Sequence, residues 1–317
     1  MNLYKGPWSD VSETAPTAVT SGTFDGVHLG HQRILKQLIQ VAKENHLSPT
    51  VITFDPHPQE LIRTKKPDIR ILTDLDEKAA ILEDLGISRL VVIRFDRELA
   101  RLSPRTFVEQ VVLNRLKAKW VIIGYDHAFG KDRGGNRDNL MSMRQDFGFQ
   151  VGVVEPVILD GVVISSTKIR QALYRGDIQL ANTYLGRPYI ISGIVISGDT
   201  RGRMLGIPTV NLKPHHPKKL LPADGVYAGR AWVNSESYLA AISIGERPTF
   251  HTGGRVLEAH LVDFEGDMYG KEITLEFEQK IRDQIQFVSP SDLTSQMNKD
   301  IIVIKRMVST PRRREYA

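Results

Sequence analysis

The sequence contains no cysteine in its 317 residues. This absence excludes disulfides, thiolate zinc or iron–sulfur sites and a thiol nucleophile. The longest apolar runs are too short for a membrane span, and residues 1–10 lack the apolar core of a secretion signal. Neither charge dominates, since 42 Lys and Arg face 37 Asp and Glu for a net charge of +5, which suits small anionic ligands. We therefore expect a cytoplasmic protein without a membrane or nucleic-acid partner.

The length predicts two domains, because a single hydrophobic core rarely grows beyond about 250–300 residues. The first half alternates strand-like and helix-like runs, such as Thr17–Ser21 followed by a helical pattern over Leu29–Asn45. Strands that alternate with helices predict an α/β domain. Its core would be a Rossmann-type, doubly wound parallel sheet covered by helices on both faces.

The pattern changes near residue 187, where strand-like runs follow one another with turn signals between them. These runs are Tyr189–Ser197, Gly225–Val233, Tyr238–Ile244, Arg255–Phe264 and Glu272–Glu278. A single helical pattern over Pro290–Val308 follows them. We predict an antiparallel β-barrel with a closing helix, and domains that comprise residues 1–186 and 187–317.

The strongest motif joins the first predicted strand to the first predicted helix, with the sequence Gly22-Thr23-Phe24-Asp25-Gly26-Val27-His28-Leu29-Gly30-His31. In open α/β sheets, ligands bind beyond the carboxyl ends of strands, where helix N-termini present free N–H groups. His28 and His31 share one face of the first helical turn, and Gly30 leaves the backbone open to a phosphate. Two neutral imidazoles can donate hydrogen bonds to a phosphate oxygen as charge develops on it. We interpret the pair as phosphate-binding rather than as two surface histidines.

A second motif places three hydroxyl side chains at a predicted helix start, in the sequence Ile164-Ser165-Ser166-Thr167-Lys168-Ile169-Arg170. Capping a helix needs only one hydroxyl. The other two, together with Arg170 one turn further on, favour an anion cradle over simple capping.

The two motifs resemble the His-x-Gly-His and Ile-Ser-Ser-Thr-x-(Ile/Val)-Arg signatures of the nucleotidyltransferase superfamily. With Thr53-Phe54-Asp55-Pro56-His57-Pro58, the first motif is similar to the bacterial bifunctional riboflavin kinases/FMN adenylyltransferases, also called FAD synthetases. This resemblance implies a nucleotidyltransferase-like domain that transfers AMP from ATP to FMN and releases pyrophosphate. It implies that His28 and His31 steady the α-phosphate. The residues it assigns to the β- and γ-phosphates are Ser165, Ser166, Thr167 and Arg170.

Further roles follow from the same resemblance. It implies an ATP site that includes Thr23, Phe24, Asp25, Gly30 and Asp126. Asp126 lies in a segment that matches the family's Gly-x-(Asp/Asn)-Phe-x-Phe-Gly, except that His127 replaces the first Phe, so no aromatic contact is carried over there. Phe54 and His57 are expected in the flavin pocket, although His57 between two prolines is equally consistent with a structural turn residue.

The second half carries its own candidate site. Gly198, Gly202 and Gly206 recur at intervals of four and can fold N–H groups over phosphates, although such a loop alone is more typical of a surface turn. Thr209 and Asn211 would point the same way in an extended segment, and their neutral oxygens suit Mg²⁺. Glu258 alternates with apolar residues. It is either a base with a raised pKa or an edge-strand carboxylate facing water.

Gly-x-Pro-Thr-x-Asn, Ile244–Phe250 and Glu258-Ala259-His260-Leu261 together resemble a riboflavin kinase domain. The resemblance implies that the three glycines bind ATP, that Thr209 and Asn211 hold Mg²⁺, and that Glu258 activates the riboflavin 5′-hydroxyl. It also implies flavin binding by Arg282. ATP is then the co-substrate at both sites, riboflavin, FMN and FAD are the other partners, and no tightly bound organic cofactor is required.

Two alternatives stay open at the level of sequence. His127 leaves room for an adenylyltransferase with another phosphorylated acceptor. An RNA-binding or flavin-binding regulatory protein is the other alternative, since tRNA synthetases share the His-x-Gly-His theme. The chain, however, shows no long basic helix and no aromatic-rich strand on which RNA bases would stack.

Overall fold

The computed structural model describes residues 1–62, 69–126, 129–130, 134–197, 207–246 and 254–307. Internal packing divides the chain into two compact units, the first comprising Met1–Ile69 with Leu75–Ile164 and the second Arg70–Asp74 with Ser165–Ala317. The packing therefore groups residues 165–186 with the second unit. The predicted domain boundary after residue 186 stays a prediction.

The first unit is built on a six-stranded, fully parallel sheet. Its strands are β1 (Asn2–Gly6), β2 (Thr17–Ser21), β3 (Ser48–Asp55), β4 (Arg89–Arg94), β5 (Ala118–Gly124) and β6 (Gln150–Val154), in the order β1-β4-β3-β2-β5-β6. From β2 the chain builds outward through β3 and β4, and then returns to add β5 and β6 on the other side of β2. The direction of winding reverses between β2 and β5, and a crevice for ligands opens at such a reversal.

Helices complete this unit. They are α1 (Leu29–Glu44), α2 (Pro58–Ile62), α3 (Leu75–Asp84), α4 (Arg97–Arg101), α5 (Pro104–Thr106), a π-helix (Phe107–Arg115) that continues α5, and α6 (Arg137–Phe147). Alternate strand residues such as Val19, Ile52 and Val121 pack in one hydrophobic cluster with the buried side chains of the π-helix and α6. On α1, Leu35, Leu38 and Ala42 recur at helical spacing and are fully or almost fully buried. The predicted α/β sheet with its helices is confirmed. A short hairpin, β7 (Ile158–Leu159) and β8 (Val162–Val163), ends the unit.

The second unit contains a closed six-stranded antiparallel barrel. Its strands are β9 (Tyr189–Ile196), β10 (Val210–Pro214), β11 (Gly225–Val233), β12 (Glu236–Glu246), β13 (Arg255–Leu261) and β14 (Glu272–Arg282), in the order β10-β13-β12-β11-β14-β9. Tyr189, Tyr227 and Phe277 are the largest fully buried side chains among the described residues of the barrel, and Phe277 packs against both tyrosine rings. The predicted barrel and closing helix are confirmed, since helix α9 (Pro290–Met307) follows the last strand.

Two further helices, α7 (Ser166–Tyr174) and α8 (Ile178–Leu185), precede the barrel and belong to the same unit. Asn182 on α8 donates a hydrogen bond of 2.8 Å to the Phe277 carbonyl and accepts one of 2.7 Å from the Tyr189 N–H. These bonds fasten α8 to β9 and β14. They give the physical reason why residues before 187 pack with the barrel.

Candidate functional site

In the first unit, the two histidines of the sequence motif lie at the start of α1, after the turn that follows β2. His28 is the N-cap of α1, with extended backbone, and its Nδ1 accepts the N–H of His31 at 3.4 Å. A β-carbon added at Gly30 would lie 3.1 Å from the His28 ring and 3.8 Å from the Ile164 carbonyl oxygen. Because glycine has no β-carbon, the backbone at position 30 can pack closely against the His28 ring.

The two imidazole rings form a compact pair. Their centroids lie 3.7 Å apart with an interplanar angle of 19°, and Phe24 meets the His31 ring edge-on at 5.1 Å. His28 is 6% exposed. The Nδ1 atom of His31 is shielded from solvent and has no hydrogen-bond partner among the described residues. A shielded polar atom without a partner is costly, and a ligand oxygen or a bridging water would relieve that cost.

Burial lowers the pKa of His31 well below its usual 6.5, and the nearby charges of His28 and Lys78 act in the same direction. The ring is therefore neutral at physiological pH, and one of its nitrogens carries a proton that it can donate. A pair of rings that are both charged would repel each other at this separation.

A pH dependence of stability follows from this low pKa. In the unfolded chain His31 takes up a proton below pH 6.5 and in the folded chain it does not, so acidification favours unfolding. The cost is at most about 1.4 kcal/mol per pH unit until the folded pKa is reached. Urea unfolding at pH 7.5, 6.0 and 5.0 should show a smaller loss of stability for His31→Phe, which keeps the ring but cannot titrate, than for the wild type. The exposed-histidine variant His46→Asn should follow the wild type. Equal losses for His31→Phe and the wild type would show that His31 titrates normally.

The turn before His28 is tightly built. Phe24 and Val27 are non-glycine residues in the left-handed region, with φ of 45° and 39°, and both are buried. Asp25 between them is 2% exposed. Strained backbone persists only where surrounding contacts hold it, and such segments cluster at functional sites.

Lys78 is a residue of this site that sequence reasoning missed. Its ammonium group, on α3, donates a hydrogen bond of 2.8 Å to the Thr23 carbonyl and lies 3.4 Å from the Thr53 hydroxyl. Thr53 in turn donates to the same carbonyl at 3.2 Å. Lys78 is only 8% exposed. Lys78 and Thr53 thus both donate to the carbonyl at the start of the strained turn. The role of Lys78 in holding this turn is visible only from its buried position in the structure.

Three other predicted residues of the first unit lie at the carboxyl ends of its strands. Asp126 follows β5 and is exposed, and a β-carbon at Gly124 would lie 3.7 Å from its Oδ1. Phe54, near the end of β3, packs edge-on against Phe95 at 5.7 Å. His57 follows β3, and its Nδ1 accepts the N–H of Gln59 at 3.2 Å. The hydrogen bond from Gln59 to His57 at the start of α2 is consistent with His57 as a structural turn residue. The flavin roles of Phe54 and His57 stay predictions, as does the ATP role of Asp126.

The hydroxyl motif begins α7 in the second unit. Ser165 is the N-cap, and its hydroxyl accepts the N–H of Lys168 at 3.5 Å. Ser166 and Thr167 occupy the first turn of α7, and a helix N-terminus favours a bound anion. Arg170 donates from Nε to the Arg70 carbonyl at 2.8 Å. That bond uses one edge of the guanidinium and orients the rest of it.

On the barrel, two of the predicted kinase residues lie on neighbouring strands. Asn211 on β10 lies directly opposite Glu258 on β13. Asn211 is 6% exposed and Glu258 is half-buried, while the flanking Leu257 and Ala259 point into the core. His260 lies with Nδ1 2.8 Å from the Pro208 carbonyl, next to Thr209. Glu258 is therefore not on an open edge, because β13 is paired on both sides.

Arg282 makes an ion pair and hydrogen bonds within the second unit. Its Nε lies 3.1 Å from both carboxylate oxygens of Asp300 on α9, and its Nη2 lies 2.7 Å from Oδ2. Asp300 is 4% exposed and also accepts from Gln296 at 2.9 Å. Nη1 donates to the Asp283 carbonyl at 3.0 Å. All three guanidinium nitrogens thus bond to the protein itself. The flavin-binding role of Arg282 stays a prediction, beside this structural role.

We expect Asp300→Ala to destabilise the barrel strongly, because it leaves the mostly buried Arg282 cation without a counter-charge. Breaking such a pair costs about 3–5 kcal/mol, and the lower end applies here since the Arg282 side chain is 16% exposed. The change should appear as a lower urea midpoint. Asp283→Ala removes an exposed carboxylate paired with Lys280 and serves as the control, with a nearly unchanged midpoint. A midpoint for Asp300→Ala equal to that of the control would contradict this account.

Some predicted residues lie outside the described part of the chain: Gly198, Gly202, Gly206 and His127. No cluster of three or more His, Asp or Glu side chains suited to a metal occurs in the described ranges. The neutral oxygens of Thr209 and Asn211 form another kind of donor set. Hard cations such as Mg²⁺ accept such oxygens while they keep water and phosphate ligands.

Comparison with known proteins identifies both halves. Residues 10–168 match the FAD synthetase family and residues 185–308 match the riboflavin kinase family. The chain therefore combines two classes of ATP-using transferase domain. The bifunctional riboflavin kinase/FMN adenylyltransferase of Haemophilus influenzae is 40% identical over 91% of this chain and 93% of its own length. That of Bacillus subtilis is 38% identical over 91% of both chains. This chain belongs to the family of bifunctional riboflavin kinases/FMN adenylyltransferases.

A solved structure from Streptococcus pneumoniae, named a macrolide-efflux protein, also resembles this chain. It aligns with a TM-score of 0.88 and 30% identity, and covers 96% of this chain and 99% of that one. The name belongs to that protein, and it differs from the names of the relatives above. In the part of this chain that the structure describes, no helix is long and apolar enough to cross a membrane.

Proposed function

We propose that this chain makes FAD from riboflavin in two steps, at two separate sites. The barrel phosphorylates riboflavin to FMN with ATP, and the α/β unit transfers AMP from a second ATP to FMN. Family membership and the presence of both domains support the two activities. Riboflavin, FMN, FAD and ATP are accordingly its small-molecule partners.

For adenylyl transfer, we propose that the FMN phosphate attacks the α-phosphorus of ATP directly and that pyrophosphate leaves. No side-chain nucleophile is needed, since positioning and charge stabilisation suffice. The rings of His28 and His31 would donate hydrogen bonds to the α-phosphate as charge grows on it. The free N–H groups at the start of α1 would act on the same anion.

The family resemblance supplies the remaining proposed ATP contacts. Thr23, Phe24, Asp25, Gly30 and Asp126 would line the nucleotide. The strained turn supports this role, because Lys78 and Thr53 fix its first carbonyl. Ser165, Ser166, Thr167 and Arg170 would bind the β- and γ-phosphates through hydroxyls, N–H groups and the guanidinium.

For riboflavin phosphorylation, we propose that Glu258 accepts the proton of the 5′-hydroxyl as the oxygen attacks the γ-phosphorus of ATP. A base of this kind must reach the hydroxyl, and the half-buried position of Glu258 permits it. Thr209 and Asn211 would hold Mg²⁺, which offsets charge on the phosphates when bound. The donor chemistry fits, because both residues offer neutral oxygens and Asn211 is the register partner of Glu258.

The observation that carries the two-site proposal is that each compact unit holds its own candidate group, the histidine pair in one and Glu258 beside Asn211 in the other. Purified protein incubated with riboflavin, ATP and Mg²⁺ tests it, with flavins separated by chromatography over time. FMN should appear first and FAD should follow. Absence of both flavin products would refute the proposed function.

A further inference from the structure

A row of polar side chains crosses the outer face of the barrel at Glu258. Ser243 on β12 lies directly opposite Glu258, on the side away from Asn211. Directly opposed residues of antiparallel strands have β-carbons about 4.5–5.5 Å apart and share one face of the sheet. The neighbours of Ser243 along β12, Ile242 and Ile244, are buried in the core. The Ser243 and Glu258 side chains are therefore neighbours on this face of the sheet.

Gln284 sets the direction of this hydroxyl. Its Nε2 donates to the Ser243 Oγ at 2.9 Å and to the Ile244 carbonyl oxygen at 2.8 Å. A carbonyl oxygen can only accept, so the amide nitrogen, rather than the amide oxygen, faces both groups. Ser243 must then accept from Gln284, which leaves the hydrogen of the Ser243 hydroxyl available to a different acceptor.

Gly245 makes this arrangement possible. It shares the outer face of β12 with Ser243, two residues away. A β-carbon at Gly245 would lie 3.1 Å from the Gln284 Nε2 and 3.2 Å from its Cδ. Because Gly245 has no side chain, the Gln284 side chain has room to pass over it and reach Ser243.

We propose that Ser243, oriented by Gln284, is a positioning residue for the kinase reaction. Its hydroxyl donates a hydrogen bond to the Glu258 carboxylate and turns it toward the hydroxyl that it deprotonates. Ser243 keeps its own proton throughout. The inference rests on the proposed kinase function of Glu258.

The expected effect is on the rate of the chemical step more than on substrate binding. A glutamate side chain has three rotatable bonds, and a fixed donor beside it removes unproductive orientations. Hydrogen bonds to charged groups are strong enough that losing one changes a rate by about 10- to 100-fold. Because Gln284 is exposed and acts through Ser243, its loss should have a smaller effect in the same direction.

A matched pair of variants tests the proposal. Ser243→Val and Ser243→Thr have the same shape and differ only in the hydroxyl. For riboflavin phosphorylation, kcat should fall about 10-fold or more in Ser243→Val and recover in Ser243→Thr, with little change in the KM for riboflavin. The KM for riboflavin reports that the barrel is folded, and FMN adenylylation by the same preparations reports the same for the α/β unit. Gly245→Ala, which pushes the Gln284 amide aside, should lower kcat in the same direction as Gln284→Leu.

The possible outcomes distinguish a failure of the proposed kinase function from a failure of the positioning role of Ser243. A wild-type chain that makes no FMN from riboflavin overturns the proposed kinase function. A wild-type chain that makes FMN, with Ser243→Val as fast as Ser243→Thr, overturns the positioning role alone. If Ser243→Val fails to fold, Gln284→Leu decides, because an unchanged kcat there would show that the oriented hydroxyl is not used.

Discussion

FMN adenylylation falls by at least about 10³-fold when His28→Ser and His31→Ala are combined, while riboflavin phosphorylation persists. Each donor aimed at a developing oxyanion is worth about 10²–10³ in rate, and residues that act as a unit lose less than the product of their single effects. Serine at position 28 retains an N-cap for α1, so the helix start is preserved. The measurement is FAD formation from supplied FMN and ATP, with FMN formation from riboflavin followed in the same preparation.

The control for this variant is His46→Asn, which removes an exposed imidazole just beyond the other end of α1. His46 has a φ of 56°, and asparagine tolerates that conformation. Its FAD formation should match the wild type. If the double histidine variant retained full FAD formation, the imidazole pair would have no part in the reaction.

Glu258→Gln should lower riboflavin phosphorylation by about 10²–10⁴-fold, the usual contribution of a general base. Glutamine has the same shape and hydrogen-bonding reach as glutamate but cannot accept the proton. The barrel should remain folded, because the side chain lies on the outer face and its apolar neighbours stay in the core. FMN adenylylation should stay at the wild-type rate. The readout is FMN formation with saturating ATP and Mg²⁺.

Glu272→Gln gives the matched control for Glu258→Gln. Glu272 also lies on the barrel, and its exposed carboxylate pairs with His215 on the surface. Exposed pairs contribute little to stability, and Glu272 has no proposed role in the reaction. Its FMN formation should be unchanged. Equal rates for Glu258→Gln and this control would remove Glu258 from the mechanism.

Regular local patterns made much of the fold predictable. Thr17–Ser21 and Gly225–Val233 are strands with the predicted bounds, because β-prone runs end there at clear turn signals. The strands β1 and β6 were missed. Both are short edge strands of the parallel sheet. Asn2 and Lys5 interrupt β1, and Gln150 and Gly152 interrupt the valines of β6, so neither shows the continuous apolar run of a strand buried on both faces. Their partners, β4 and β5, are distant in sequence.

The candidate sites were predictable where the chemistry is local. His28 and His31 are one helical turn apart, so their pairing follows from spacing alone. Lys78 and Gln284 were missed, because each reaches its partners through tertiary packing that a single sequence does not display. Arg282 is a predicted residue whose main contact in the structure the sequence did not indicate. The family resemblance implied flavin binding by Arg282, which stays a prediction, and the structure adds a buried carboxylate partner from a later helix.

Mixing two variants, each of which lacks one of the two activities, tests most directly whether the chain has two independent sites. His28→Ser/His31→Ala should stop at FMN when given riboflavin, ATP and Mg²⁺, and Glu258→Gln should leave riboflavin largely unchanged. The account predicts that the mixture forms FAD, because FMN released by the first variant is a substrate for the second. A mixture that forms no FAD, although the Glu258→Gln variant adenylylates supplied FMN, would contradict two sites that work independently.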